Sequence, residues 1–186
     1  MTILEVLIVF LSAGFSLKVA DEYGEKGNNL TAFVSAAVCS ILFWLLVKED
    51  VYYSTVIFAV IIGSVLSLKT NRPNLVFGLA VVIVLSIFLG FRMPIIWLLI
   101  TLSAIAFFDE ICHEKFLKKS RHSWIFQYRL LLKIAVVISA IFYWLTILSA
   151  IGFLIFDFSY DLTDLILRKL TLSKNRPANW YQALKE

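Results

Sequence analysis

The sequence predicts an all-α integral membrane protein: a polytopic bundle of six transmembrane helices, with seven as the alternative, and a C-terminal amphipathic segment. Three observations carry this reading. Hydrophobic types make up 61% of the 186 residues and charged types only 16%, against about 45–50% and about 25% in a soluble globular domain. The mean hydropathy is +0.89. The apolar residues also fall into charge-free runs, at 6–17, 27–47, 51–68, 73–91, 93–108 and 134–156, and a helix needs about 20 mostly apolar residues to cross a bilayer. This composition excludes a disordered tail, a disulfide-stapled secreted module and a soluble enzyme.

Helix follows from the pattern inside the runs. Stretches such as Ile41–Val47 do not alternate as the strands of a lipid-facing barrel do. With no water to satisfy backbone groups, helix is what remains. The expected spans lie near 2–19, 29–47, 51–68, 74–91, 93–110 and 134–156. The first has no positively charged segment before it and is expected to be retained rather than cleaved. Lys48-Glu49-Asp50 joins the second span to the third, and residues 69–74 join the third to the fourth. Gly90 to Pro94 precedes the fifth, with the proline suited to a first helical turn. The one long connection, 109–133, mixes Trp124, Phe126 and Tyr128 with basic residues and suits the headgroup layer.

Residues 1–158 therefore read as the transmembrane domain, and 159–186 as an amphipathic segment with a basic tail. Asp157, Asp161 and Asp164 recur at i, i+4 and i+7, with Phe158, Leu162 and Leu165 on another face. A seventh span within 148–168 would carry those three carboxylates into the membrane at a cost. No glycine or proline marks a turn before it, so an interfacial helix is the preferred reading.

Basic residues set the orientation. Lys18, Lys26, Lys69, Arg72, Lys115, Lys118, Lys119, Arg121, Arg129 and Lys133 share the face reached after the first span, and only Lys48 and Arg92 lie opposite, before the tail. That excess places the 109–133 loop in the cytoplasm and the N-terminus outside the cell membrane. The net charge of +4 is dispersed between apolar runs and does not point to nucleic acid. The expected partners are the lipid bilayer and a larger membrane complex or a second copy of the chain.

Two acidic clusters are the main chemical signal. The first span ends on Asp21-Glu22 and Glu25, the fifth on Asp109-Glu110 and His113, and both run in the same direction. Glu22-x-x-Glu25 and Glu110-x-x-His113 each place two side chains on one helical face, as the helices of bundle di-metal sites do. Glu22, Glu25, Glu110 and His113 are the candidate ligands of a divalent metal, and Asp21 and Asp109 the candidate catalytic carboxylates. Lys69 and Arg72 would receive a phosphate headgroup, the arginine bidentately. The structural alternative is a solvated helix end, since Lys18/Glu22 and Glu22/Lys26 already compensate at i, i+4.

If the chain is catalytic, the chemistry implied is a metal-assisted reaction on a phospho- or prenyl-lipid at the cytoplasmic boundary. The alternatives are a non-catalytic subunit or scaffold, and a small-solute transporter. The spans carry small residues such as Ser40, Ser64 and Ser103, suited to close helix packing. They show neither unwound segments nor buried charge pairs, which weighs against transport.

Overall fold

Seven helices form among the described residues, and several begin where the sequence supplies a way to satisfy or dispense with free backbone groups. The computed structural model describes residues 1–27, 29–67, 72–117 and 130–174, and within these the side chains except those of 112–117 and 171–174. Lys69, the side chain of His113 and the tail from 175 onward lie outside the described residues. Helix α1 is Ile3–Glu25, α2 is Asn29–Glu49, α3 is Val51–Leu66 and α4 is Pro73–Leu89. They are followed by α5, Ile96–Leu117, α6, Leu130–Ile141, and α7, Ile147–Lys174.

Caps mark these boundaries. Thr2 and Glu5 form a reciprocal capping box at the start of α1, so Glu5 is a local helix-start residue. Asp50 alone separates α2 from α3 and accepts the Tyr52 N–H at 2.8 Å. Pro73 occupies the first turn of α4, where its missing N–H costs nothing.

Two boundaries differ from the sequence expectation. The fifth helix starts at Ile96 rather than 93, because residues 90–95 run as a non-helical strap over the ends of α2 and α3. The Arg92 N–H donates to the Val47 carbonyl at 2.8 Å, and the Ile95 N–H donates to Thr55 Oγ1 at 3.0 Å. The apolar run 134–156 is divided between α6 and α7. Tyr143 takes the left-handed conformation, φ 60°, in place of a glycine, and Trp144 and Leu145 both donate to the Ser139 carbonyl. Thr146 then caps α7 by accepting the Ser149 N–H at 3.3 Å. α7 continues without a break through 159, so the amphipathic segment is the second half of a longer helix.

Cross-helix contacts give the directions. Phe10, Gly14 and Lys18 of α1 meet Gly152, Phe156 and Asp164 of α7 in the same order, so the two helices run parallel. Phe33, Ser40 and Trp44 of α2 meet Phe77, Gly78 and Gly90, which makes α2 and α4 parallel. Thr55 and Gly63 of α3 meet Ile95 and Ala106, which does the same for α3 and α5. Lys133, near the start of α6, reaches Asp157 and Asp161 on α7, so these two form an antiparallel hairpin. Successive helices therefore alternate, and α1, α3, α5 and α7 finish at one end of the bundle.

The core is built of Val6, Phe10, Phe43, Leu46, Ile57, Leu98, Leu102, Val136 and their neighbours. Small residues bring backbones together: Ser40 Oγ donates to the Gly78 carbonyl, and Ser159 Oγ to the Leu11 carbonyl, both at 2.7 Å. Outer faces are apolar, as in the stripe Ile147, Ile151, Leu154, Phe158, Leu162 and Leu165 along α7. α1 and α2 are each long and apolar enough to cross a membrane.

The closest approach is at Gly14, where a Cβ atom would lie 2.1 Å from the Phe156 carbonyl oxygen. Gly14→Ala is expected to destabilise the bundle by about 1–3 kcal/mol through overpacking, read as a lower midpoint of thermal unfolding in detergent. An unchanged midpoint would contradict the parallel contact of α1 and α7.

Candidate functional site

Charge collects inside the bundle at the end where α1 and α7 finish. Lys18 is only 8% exposed, and an ammonium at such a position needs counter-charges. Its Nζ lies 2.8 Å from Asp164, 3.7 Å from Asp21 and 3.8 Å from Glu22, with the Tyr160 ring centroid at 5.2 Å. Asp21 also accepts from Arg72 Nη1 at 2.8 Å and from the Tyr160 hydroxyl at 3.2 Å. The other arm of the Arg72 fork, Nη2, donates to Glu25. Lys26 pairs with Glu22 at 3.0 Å, and Arg168 with Asp164 at 2.8 Å.

Three helices position this cluster. α1 holds Lys18, Asp21, Glu22 and Glu25 within two turns, and α7 supplies Tyr160 and Asp164, with the exposed Arg168 reaching Asp164 from outside. Arg72 is the residue immediately before α4. The start of α4 is fixed to the end of α1 by Asn74, whose Nδ2 donates to the Ala20 carbonyl at 2.8 Å. Gly24 permits that contact, since a Cβ there would lie 2.9 Å from Asn74 Oδ1. Burial alone would depress the Arg72 guanidinium, but the Glu25 hydrogen bond and the Asp21 and Glu25 charges raise it above its ordinary value. It stays cationic at any working pH.

A second charged group lies between α5, α6 and α7. Lys133 pairs with Asp157 and, at 3.5 Å, with Asp161. Asp109 accepts the Leu132 N–H at 3.1 Å, in the first turn of α6, where the helix dipole favours a carboxylate. Asp109 and Glu110 are both buried and line a cavity of about 30 Å³ together with Val60, Ser64, Ala106 and Leu132.

The candidates from the sequence thus divide. Asp21, Glu22, Glu25 and Arg72 come together. Asp109 and Glu110 sit apart from them: α5 packs against α3 and α6, whereas α1 packs against α2, α4 and α7. The fifth helix also continues to Leu117, so Asp109 and Glu110 lie about two turns inside it rather than at its end. Among the described residues, no three His, Cys, Asp or Glu side chains are grouped to hold a metal ion.

Several residues of the charged interior were not legible as such. With six spans and the N-terminus outside, an unbroken helix over 134–156 would carry Asp157 and Asp161 to the face opposite Asp21. The turn at 142–146 brings them back. The buried charge pairs whose absence weighed against transport are present as Lys18 with Asp164 and Lys133 with Asp157. The i, i+4, i+7 carboxylates of α7 were the available signal, and Lys18 and Lys133 their missing partners. Comparison with protein-family models, curated proteins and solved structures finds no match for this chain.

Removing one partner of a buried ion pair strands the others. Lys18→Met is expected to destabilise the fold by about 3–5 kcal/mol. Lys18→Met combined with Asp164→Leu should recover part of that loss, measured by denaturant unfolding of the four members of a double-mutant cycle. Additive losses would show that Lys18 and Asp164 do not interact.

Proposed function

We propose that this chain is a multi-pass protein of the cell membrane in which all seven helices lie across the bilayer. The charged end faces the cytoplasm and engages the phosphate-bearing headgroup of an amphipathic lipid. The observation that carries this reading is the inverted distribution of polarity. Large apolar side chains are exposed along the outer faces of the helices, among them Leu11, Phe15, Val38, Ile87, Phe88, Ile100 and Ile138, while Lys18, Asp109, Glu110 and Asp157 are buried. Exposed apolar surface on that scale needs a covering. Ionisable groups within membrane spans face the bundle interior and pair with one another.

α1 and α2, with 23 and 21 residues, are long and apolar enough to cross a membrane. α3 and α4, with 16 and 17 residues, extend about 24–26 Å, against a hydrocarbon core of about 30 Å. α6 is shorter, with 12 residues, and is followed by the exposed aromatic side chains of Phe142, Tyr143 and Trp144. Seven alternating spans also return Arg168 and Lys169 to the end that holds Lys18 and Arg72. Six spans would leave them opposite, against the positive-inside bias.

The headgroup reading rests on Arg72, one-third exposed at the rim of the cluster, with a fork that suits phosphate. A second reading, a non-catalytic subunit, draws support from the ion pairing of Asp21, Glu22, Glu25 and Asp164, since paired charges serve assembly equally well.

Two measurements test this. A reporter fused after the C-terminus and one inserted near residue 120 should both be cytoplasmic, with the N-terminus outside; a C-terminal reporter outside would contradict seven spans. Native mass spectrometry of the detergent-released chain should show bound phospholipid that Arg72→Gln removes. Lipid retention indifferent to Arg72, with co-purification of a larger partner, would favour the subunit.

A further inference from the structure

α6 is held differently from the helices around it. Its buried stripe is short, Leu132, Val136 and Ser139, and Ser139 Oγ donates to the Ala135 carbonyl of its own helix at 2.8 Å. Its polar ties to other helices lie at its start. The Leu132 N–H donates to Asp109 on α5 at 3.1 Å, and Lys133 pairs with Asp157 and Asp161 on α7. α3 and α5, by contrast, are joined along their length, through the Ile95 N–H to Thr55 and the close approach of Gly63 to Ala106.

The far end of α6 is strained. Tyr143 holds φ 60°, a left-handed conformation that is costly for a bulky L-residue. The residue is 87% exposed, so packing of its ring does not offset that cost. Leaving the left-handed conformation is locally downhill, and the ties at the start of α6 oppose it. A strained turn at one end of a short helix and a polar latch at the other are the parts of a hinged element.

What α6 closes is the cavity of about 30 Å³ lined by Val60 and Ser64 of α3, Ala106, Asp109 and Glu110 of α5, and its own Leu132. Such a volume has room for about one or two water molecules. Because α3 and α5 are fixed to one another, Leu132 is the wall that can withdraw.

We infer that α6 is a hinged gate over this cavity. It turns about Tyr143, is latched by the Lys133 ion pairs and the Asp109–Leu132 hydrogen bond, and on opening admits water and small solutes to Asp109 and Glu110. The gate goes beyond the headgroup reading and does not rest on it.

The test is the rate at which N-ethylmaleimide modifies Val136→Cys in the purified full chain in detergent. Cys112→Ala removes one native thiol, and Cys39 stays as the internal control. Val136 lies on the inner face of α6 and Cys39 against the Ala13 carbonyl of α1, both buried, so a rigid bundle protects the two thiols alike. With a gate, the Val136→Cys thiol should react at least about tenfold faster than Cys39, because local opening exposes it without global unfolding. Tyr143→Asn, which tolerates the left-handed conformation, should slow that reaction about threefold. Lys133→Gln should speed it about tenfold by breaking the latch, and Cys39 should be unchanged in both variants. Equal protection of the two thiols, or a Val136→Cys rate that Tyr143→Asn leaves unchanged, would overturn the gate. Parallel acceleration of Cys39 would overturn it too, because it marks loosening of the whole bundle. Tyr143 is exposed, so its substitution decides the outcome if Lys133→Gln does not fold.

Discussion

An ammonium enclosed by apolar helices must bring its counter-charges with it, and Lys18 sets the arrangement of this bundle for that reason. Its partners come from two helices, Asp21 and Glu22 from α1 and Asp164 from α7. Satisfying all of them requires α7 to lie alongside α1 in the same direction. Gly14 and Gly152 then become necessary, since Cβ atoms there would meet the Phe156 carbonyl and the Phe10 ring. The hydrogen bond from Ser159 to the Leu11 carbonyl and the burial of Phe153 and Phe156 follow from the same contact. The charge cluster and the apolar packing are thus one structural unit.

The same requirement explains the hairpin of α6 and α7. Asp157 is buried on the α7 face turned toward α6, and Lys133 is the one charged residue that α6 contains. Each carboxylate of the α7 polar face has a cation opposite it, so the face turns inward, while Phe158, Leu162 and Leu165 turn outward. The amphipathicity is of the ordinary strength but the inverse sense of a soluble helix. At the charged end the interior opens toward Arg72, where buried ion pairs give way to an exposed one. The pairs thus grade from those enclosed around Lys18 to the half-exposed Glu25 beside Arg72.

Much of this was legible in the sequence. Length and hydropathy pointed to helices, and α2, α3 and α4 begin and end within a few residues of charge-free runs. The i, i+4, i+7 spacing of Asp157, Asp161 and Asp164 marked one polar face, and Ser40 was expected at a close helix contact and makes one with Gly78. The turn at 142–146 was not legible, because it uses neither glycine nor proline. Tyr143 accepts a left-handed conformation, and a threonine cap restarts the helix. Missing that turn reversed the direction assigned to α7 and hid its partners. Lys18 and Asp164 are far apart in sequence, and no local pattern pairs them. The association of Glu22 with Glu110 was inferred from equal depth along parallel spans. Equal depth does not make neighbours, and α3 and α7 lie between the two in the packing order.

The central claim is that α7 runs beside α1 and brings its charged half to the same end of the bundle. The most direct measurement is the distance between spin labels on Lys26→Cys and Lys169→Cys in the chain reconstituted into lipid bilayers. Both labels then belong at the charged end, and the separation should fall well below the hydrocarbon thickness of about 30 Å. A separation of about 30 Å or more would place the second half of α7 at the opposite surface and contradict the account.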